Sequence, residues 1–239
     1  MKIAFVGDSF CADTNLRNSS DDGSWLNLVL KEYDAEMLCK GREGIALFHV
    51  YEDLLRIIDE ADYIILCITD AFRLPNRFGI AMAPIWHRNS RDFKKMVMAE
   101  SEDEKAVKAG KWYYNEIMSF EFHQVAQKGI LMQMDELLIE KKKKSIWFPC
   151  FEDELSMQSY TPKSGPIASH YLNFIVELER DPKDAPWKKQ MAESGNDPRN
   201  NHMNLRNNQN MARLIIDIIK NDNFSPHEIK MEDYFEGLE

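Results

Sequence analysis

The chain has 239 residues, 44% hydrophobic and 29% charged, with 30 basic against 40 acidic side chains and a net charge of −10. A globular chain of this length buries roughly 70–75% of its unfolded surface, which sets aside the disordered, collagen-like and disulfide-knotted classes. The acidic balance offers no broad basic face for duplex nucleic acid and suits a small neutral or cationic substrate. Cys11, Cys39, Cys67 and Cys150 lie far apart with no Cys-x-x-Cys pair, the pattern of reduced thiols. No run reaches the ~18–20 apolar residues of a membrane span, and the opening run before Asp8 is too short for a signal-peptide core. A cytoplasmic protein with no membrane partner is the expectation.

In chain order, Ile3 to Val6 is an apolar run ending at Gly7, as a buried parallel strand requires. Trp25, Leu26, Leu28, Val29, Leu30 and Tyr33 predict a helix, with Ser24 as its cap. Glu36 to Cys39 reads as a strand closed by Gly41-Arg42-Glu43-Gly44, and Val50, Leu54, Leu55, Ile57 and Ile58 stripe a second helix. Ala61 to Ile68 is the clearest strand, β-branched and uninterrupted. From Arg73 to about Arg91 the chain reads as loop, and from roughly Glu104 to Lys142 as a long helix or a broken pair. Ser145 to Pro149 is a fourth strand. Ala168 to Leu178 fits strand or helix, Asp181 to Asn201 reads as polar loop, and Met211 to Lys220 is a last helix. Alternating strands and helices predict a single α/β domain over residues 1–239. It is expected to be a three-layer sandwich on a mostly parallel sheet of four or five strands. A helical cap insertion is expected at about 71–143.

Open parallel sheets bind ligands beyond the carboxyl ends of their strands. Gly7-Asp8-Ser9 follows the first strand, Gly41-Arg42-Glu43-Gly44 the second and Thr69-Asp70 the third, while His202 stands shortly before the last helix. These blocks resemble those of the SGNH hydrolases, also called GDSL esterases and lipases. The resemblance implies a flavodoxin-like sheet and a serine ester hydrolase acting on a small ester or O-acetylated carbohydrate. Ser9 corresponds to the nucleophile, His202 to the base, and the N–H groups of Ser9 and Gly44 to oxyanion donors. Asp70 takes the place of the family's asparagine donor. The family's acid lies three residues before the histidine, where this chain has Arg199, so the role falls to Asp197. A backbone carbonyl as the orienter of His202, and Thr69 in place of Asp70, stay open. The resemblance implies no cofactor, no metal and a small-molecule ester as partner, and leaves the oligomeric state unknown.

The chemistry needs these residue types. A serine hydroxyl attacks only when an adjacent base takes its proton, and neutral histidine suits that task. The tetrahedral oxyanion needs preplaced donors, and a glycine lets the backbone approach it without a Cβ in the way. Other chemistries are less well served. There is no Gly-x-Gly-x-x-Gly after the first strand and no Walker-type lysine. His87 and His123 have no partner at metal-ligand spacing. Lys141 to Lys144 reads as a solvated helix end rather than a nucleic-acid patch. Two alternatives remain: a non-catalytic module of the same fold, and a Mg²⁺-dependent phosphohydrolase using Asp8 and Asp70 as strand-end carboxylates.

Overall fold

The computed structural model describes residues 1–12, 23–42, 44–69, 73, 75, 109, 112–117, 119–151, 160–172, 175, 203 and 205–238. Six parallel strands, β1 (Lys2–Gly7), β2 (Glu36–Cys39), β3 (Tyr63–Ile68), β4 (Lys144–Pro149), β5 (Ile167–Ala168) and β6 (Glu228–Ile229), form one sheet in the order β2-β1-β3-β4-β5-β6. The sheet exceeds the expected four or five strands. The additional ones at the far edge are two residues long and held by Ile167 N–H on His227 O and Ser169 N–H on Ile229 O.

Among the described residues, the helices that cover the sheet are α1 (Trp25–Tyr33), α2 (Leu47–Ile57), α3 (Phe120–Glu140) and α4 (Leu205–Lys220). Strand residues alternate between the two layers, as the period of two dictates. Phe5, Ile65, Cys67 and Phe148 pack with Trp25, Val29, Met211, Leu214 and Ile215 of α1 and α4. Ala4, Val6, Ile64, Leu66 and Trp147 pack with Val50 and Leu54 of α2 and Leu131, Met134 and Leu138 of α3. Every face of the central strands is thus covered, which explains their unbroken apolar runs, and each large side chain so buried contributes roughly 1.5–3 kcal/mol. The fold is the three-layer α/β sandwich expected.

Helix ends follow their caps. Ser24 Oγ accepts from Asn27 N–H at 3.4 Å, and α1 closes on Asp34 in the left-handed conformation (φ 46°). Ser119 Oγ accepts from Phe122 N–H at 3.2 Å, so α3 starts there and follows a π-helical turn at Tyr113–Ile117. Of the two expectations, a long helix or a broken pair, the described residues show the break. Of the expected cap, 71–143, the described stretch α3 forms the crossover from β3 to β4, and residues 71, 72, 74, 76–108, 110, 111 and 118 lie outside the described residues. The ambiguous segment from Ala168 to Leu178 begins at the end of β5, and its residues Leu172 and Ile175 are helical and buried. The lysine run is engaged locally: Lys141 pairs with Asp59 at 2.7 Å, Lys143 Nζ donates to Asp59 O and Ala61 O, and Lys144 pairs with Asp222. Among the described residues no helix is long and apolar enough to cross a membrane.

Candidate functional site at the carboxyl ends of β1 and β3

The chain leaves β1 to one side for β2 and to the other for β3, so the strand order reverses at the carboxyl ends of β1 and β3. That reversal splits the connections and opens the crevice where such sheets bind ligands. Ser9 is the first residue of a single 3₁₀ turn (Ser9–Cys11) that follows β1 directly. Asp8 caps the turn: its Oδ1 accepts from Phe10 N–H at 3.1 Å, and the residue is fully buried.

The turn after β2 is pressed against this one. Gly41 N–H donates to Cys11 O at 2.8 Å and Arg42 N–H to Gly7 O at 2.9 Å. A Cβ on Gly41 would lie 2.5 Å from both Asp8 O and Cys11 Sγ, so only glycine permits the approach. Gly44 takes a left-handed conformation (φ 67°), which glycine adopts without strain. The next residues are held from both sides. Thr69 Oγ donates to Ile45 O at 3.1 Å, and His49 Nδ1 accepts from Ala46 N–H at 3.2 Å, closing the start of α2. Thr69 is 1% exposed and its proton is given to Ile45, so it positions the Gly44 turn rather than serving as an oxyanion donor.

Ser9 and Gly44 therefore stand on adjoining turns, while Asp70, Asp197 and His202 lie outside the described residues. Met203, which follows His202, is described. It is 2% exposed and packs in the same core as Phe10 and Trp25. Its carbonyl accepts from Asn208 Nδ2 at 3.1 Å, Asn208 Oδ1 accepts from Trp25 N–H at 3.0 Å, and Trp25 Nε1 donates to Phe10 O at 3.0 Å. Two side chains thus connect the residue after His202 to the residue after Ser9. The sequence carries one signal of this link: Asn208 sits one turn before Met211 and Ala212 on the apolar face of α4. Asn208→Leu would strand the Trp25 amide and the Met203 carbonyl in the core. The expected cost is about 2–4 kcal/mol, read as a loss of roughly 5–15 °C in thermal midpoint.

Arg73 is a second residue that sequence reasoning passed over. Its Nη1 donates to Ile45 O at 3.3 Å and lies 3.6 Å from Asp8 Oδ2, an oxygen with no hydrogen bond among the described residues. The guanidinium rests over the Phe151 ring at 5.1 Å, and Phe151 meets Phe10 edge to face at 5.7 Å. Asp8 thus has one oxygen on Phe10 N–H and a guanidinium beside the other. That arrangement disagrees with Asp8 as a strand-end ligand for Mg²⁺.

Beneath the turns lie three buried thiols, Cys11, Cys67 and Cys150, all reduced as expected. Burial pushes each well above the ordinary thiol range, with the Asp8 charge adding to the effect. Burial, then Asp53, raises Cys39 to about 11. A thiol whose folded pKa is raised contributes stability that is whole below the unfolded pKa and lost as pH climbs toward the folded one. Stability is therefore expected to fall as pH rises from about 9 to 11, and iodoacetamide at pH 7.5 is expected to leave all four thiols unmodified until the chain is unfolded.

No protein-family model matches the chain, and no curated protein is similar to it in sequence. Among solved structures, it is similar to a lipolytic-family G-D-S-L protein from Desulfitobacterium hafniense (12% identity, TM-score 0.34, covering 64% of this chain and 62% of that one). It is also similar to an acetyl xylan esterase from the rumen bacterium Butyrivibrio proteoclasticus (11%, 0.37, 92% and 63%). A third is a GDSL-like lipase from Parabacteroides merdae (13%, 0.37, 90% and 94%). The chain spans under two thirds of the length of the first two. Two of these solved neighbours are thus described as G-D-S-L or GDSL-like lipolytic proteins and one as an acetyl xylan esterase. At such scores the likeness carries no argument about the chemistry of this chain.

Proposed function

We propose that this chain is an ester hydrolase working through a serine acyl-enzyme on a small neutral ester or O-acetylated carbohydrate. Ser9 Oγ attacks the carbonyl carbon while His202 accepts its proton. The tetrahedral intermediate collapses, and His202 delivers that proton to the departing alcohol. Water, deprotonated by the same imidazole, then attacks the acyl-serine and releases the acid, returning the proton to Ser9. Asp197 holds His202 in its productive tautomer. The N–H groups of Ser9 and Gly44 receive the oxyanion, with Asp70 at its edge.

The observation that carries this reading is the chain of contacts from Met203 through Asn208 and Trp25 to Phe10. It anchors the neighbour of the proposed base to the neighbour of the proposed nucleophile across almost the whole sequence. The test is a fluorophosphonate probe followed by peptide mass spectrometry. The expected result is one adduct per chain, on Ser9, absent from Ser9→Ala. A folded wild type that takes up no label and hydrolyses no ester overturns the reading and leaves a non-catalytic binding module. Phosphatase activity abolished by chelation would instead favour the divalent-cation alternative.

A further inference from the structure

We infer that Arg73 contacts the substrate in this esterase, its guanidinium donating to the oxyanion alongside the N–H groups of Ser9 and Gly44. The inference rests on the esterase reading and goes beyond it, because no pattern in the sequence singles this arginine out.

The simpler role for Arg73 is to neutralise Asp8, and the contacts show that it does so incompletely. A guanidinium devoted to a carboxylate grips it with two parallel N–H groups at about 2.7–2.9 Å. In the same chain Arg42 also engages Asp53 with two nitrogens at such distances, Nε at 2.9 Å and Nη2 at 2.8 Å, both on Oδ2. Arg73 approaches Asp8 with one nitrogen only, at 3.6 Å, outside hydrogen-bond range, and that nitrogen donates instead to Ile45 O. Among the described residues no other N–H of Arg73 has a hydrogen-bond partner, although its side chain is only 14% exposed. The ring of Phe151 supports one face of the guanidinium and fixes its plane. The result is a cation held rigidly, with an uncommitted donor edge, in the place where rigidity matters.

That place is the seam between the two turns. Nη1 touches Asp8, which precedes Ser9, and Ile45, which follows Gly44. The residues whose N–H groups would form the oxyanion hole therefore flank both contacts of the arginine. The seam also needs a cation. Asp8 is a buried carboxylate one residue from the nucleophile, and a second negative charge growing on the substrate oxygen would be repelled by it in a low-dielectric setting. A guanidinium between the two offsets the first charge and stabilises the second. Asp70, when ionised, has no proton to donate in its place. Preorganised donors of this kind act on the transition state and not on the neutral ground state, so the effect belongs in kcat.

The experiment compares wild type, Arg73→Gln and Arg73→Lys on p-nitrophenyl acetate and on mono-p-nitrophenyl succinate, with thermal midpoints measured for each. Arg73→Gln is expected to lose about 10²–10³-fold in kcat on both esters with KM within about threefold of wild type. Arg73→Lys keeps the charge beside Asp8 and loses the forked donor. It is expected to stay folded with a smaller loss of kcat, which keeps the test decisive should Arg73→Gln fail to fold. A rise in KM confined to the succinate monoester, with kcat unchanged, would make Arg73 a carboxylate subsite and overturn the inference. So would either folded variant matching wild-type kcat on acetate, or a loss of activity proportional to unfolded protein. A wild type that neither labels nor hydrolyses either ester removes the esterase reading and this inference with it, whereas a labelled wild type with an equally active Arg73→Gln removes this inference alone.

Discussion

Ser9→Ala, His202→Ala and the double variant are expected to lose ester hydrolysis by the same factor, on the order of 10⁴–10⁶. The equality is the discriminating part. A nucleophile and its base act as one unit, so removing either leaves only the binding and oxyanion contributions, and removing both takes nothing more. Asp197→Ala is expected to cost less, because a tautomer can be held in part by other acceptors, a backbone carbonyl among them. Steady-state kinetics on p-nitrophenyl acetate measure all four variants. His202→Ala within about tenfold of wild type would place the base elsewhere, and Ser9→Ala retaining a fluorophosphonate adduct would do the same for the nucleophile. Ser9 is partly exposed and opens a one-turn helix capped by the residue before it, so its replacement leaves that cap intact.

Much of this architecture is legible in the residues because the central strands are buried on both faces. β1, β3 and β4 read as apolar runs since almost no position along them faces water. α1, α2 and α4 carry stripes at helical spacing because each covers the sheet on one side alone. The edge strands leave no such trace: two residues cannot show a period, and β5 and β6 exist through hydrogen bonds from partners distant in sequence. The break before α3 turns on Ser119 outcompeting helix continuation, a local event that apolar spacing alone does not mark.

The candidate site divides in the same way. Ser9 and Gly44 are found by looking at the turns that succeed each strand, which topology makes meaningful. Arg73 and Asn208 are not, because their importance lies in partners far from them in sequence. For Arg73 those partners are Asp8 and Ile45, and for Asn208 they are Trp25 and Met203. A lone arginine in a loop carries no periodic signal, and the place of Asn208 on the apolar face of α4 marks its burial without naming its partners. Their roles exist only once three strands and two helices have been brought together.

Gly7→Ala is expected to destabilise the protein by about 3–5 kcal/mol, a large share of the roughly 5–15 kcal/mol typical of a domain. Gly7 pairs with Cys67 where the two central strands end. A Cβ there would penetrate the Cys67 carbonyl and lie 2.6 Å from the Cys67 Cβ, so the obstruction is backbone and cannot rotate away. Relief requires the strands to separate at the point from which Ser9 is launched, so fluorophosphonate labelling should fall together with the urea midpoint. Gly129 is the informative contrast. It sits within α3, and a methyl group added there would meet no atom within 4 Å beyond its chain neighbours and the helix's own backbone. Gly129→Ala therefore meets no resistance and reduces the freedom of the unfolded chain, and should raise stability by about 0.5–1 kcal/mol. Opposite signs from one added methyl group follow from the surroundings alone. If Gly7→Ala proved as stable as wild type, the β1–β3 register, and with it the placement of Ser9 at the switch point, would have to be abandoned.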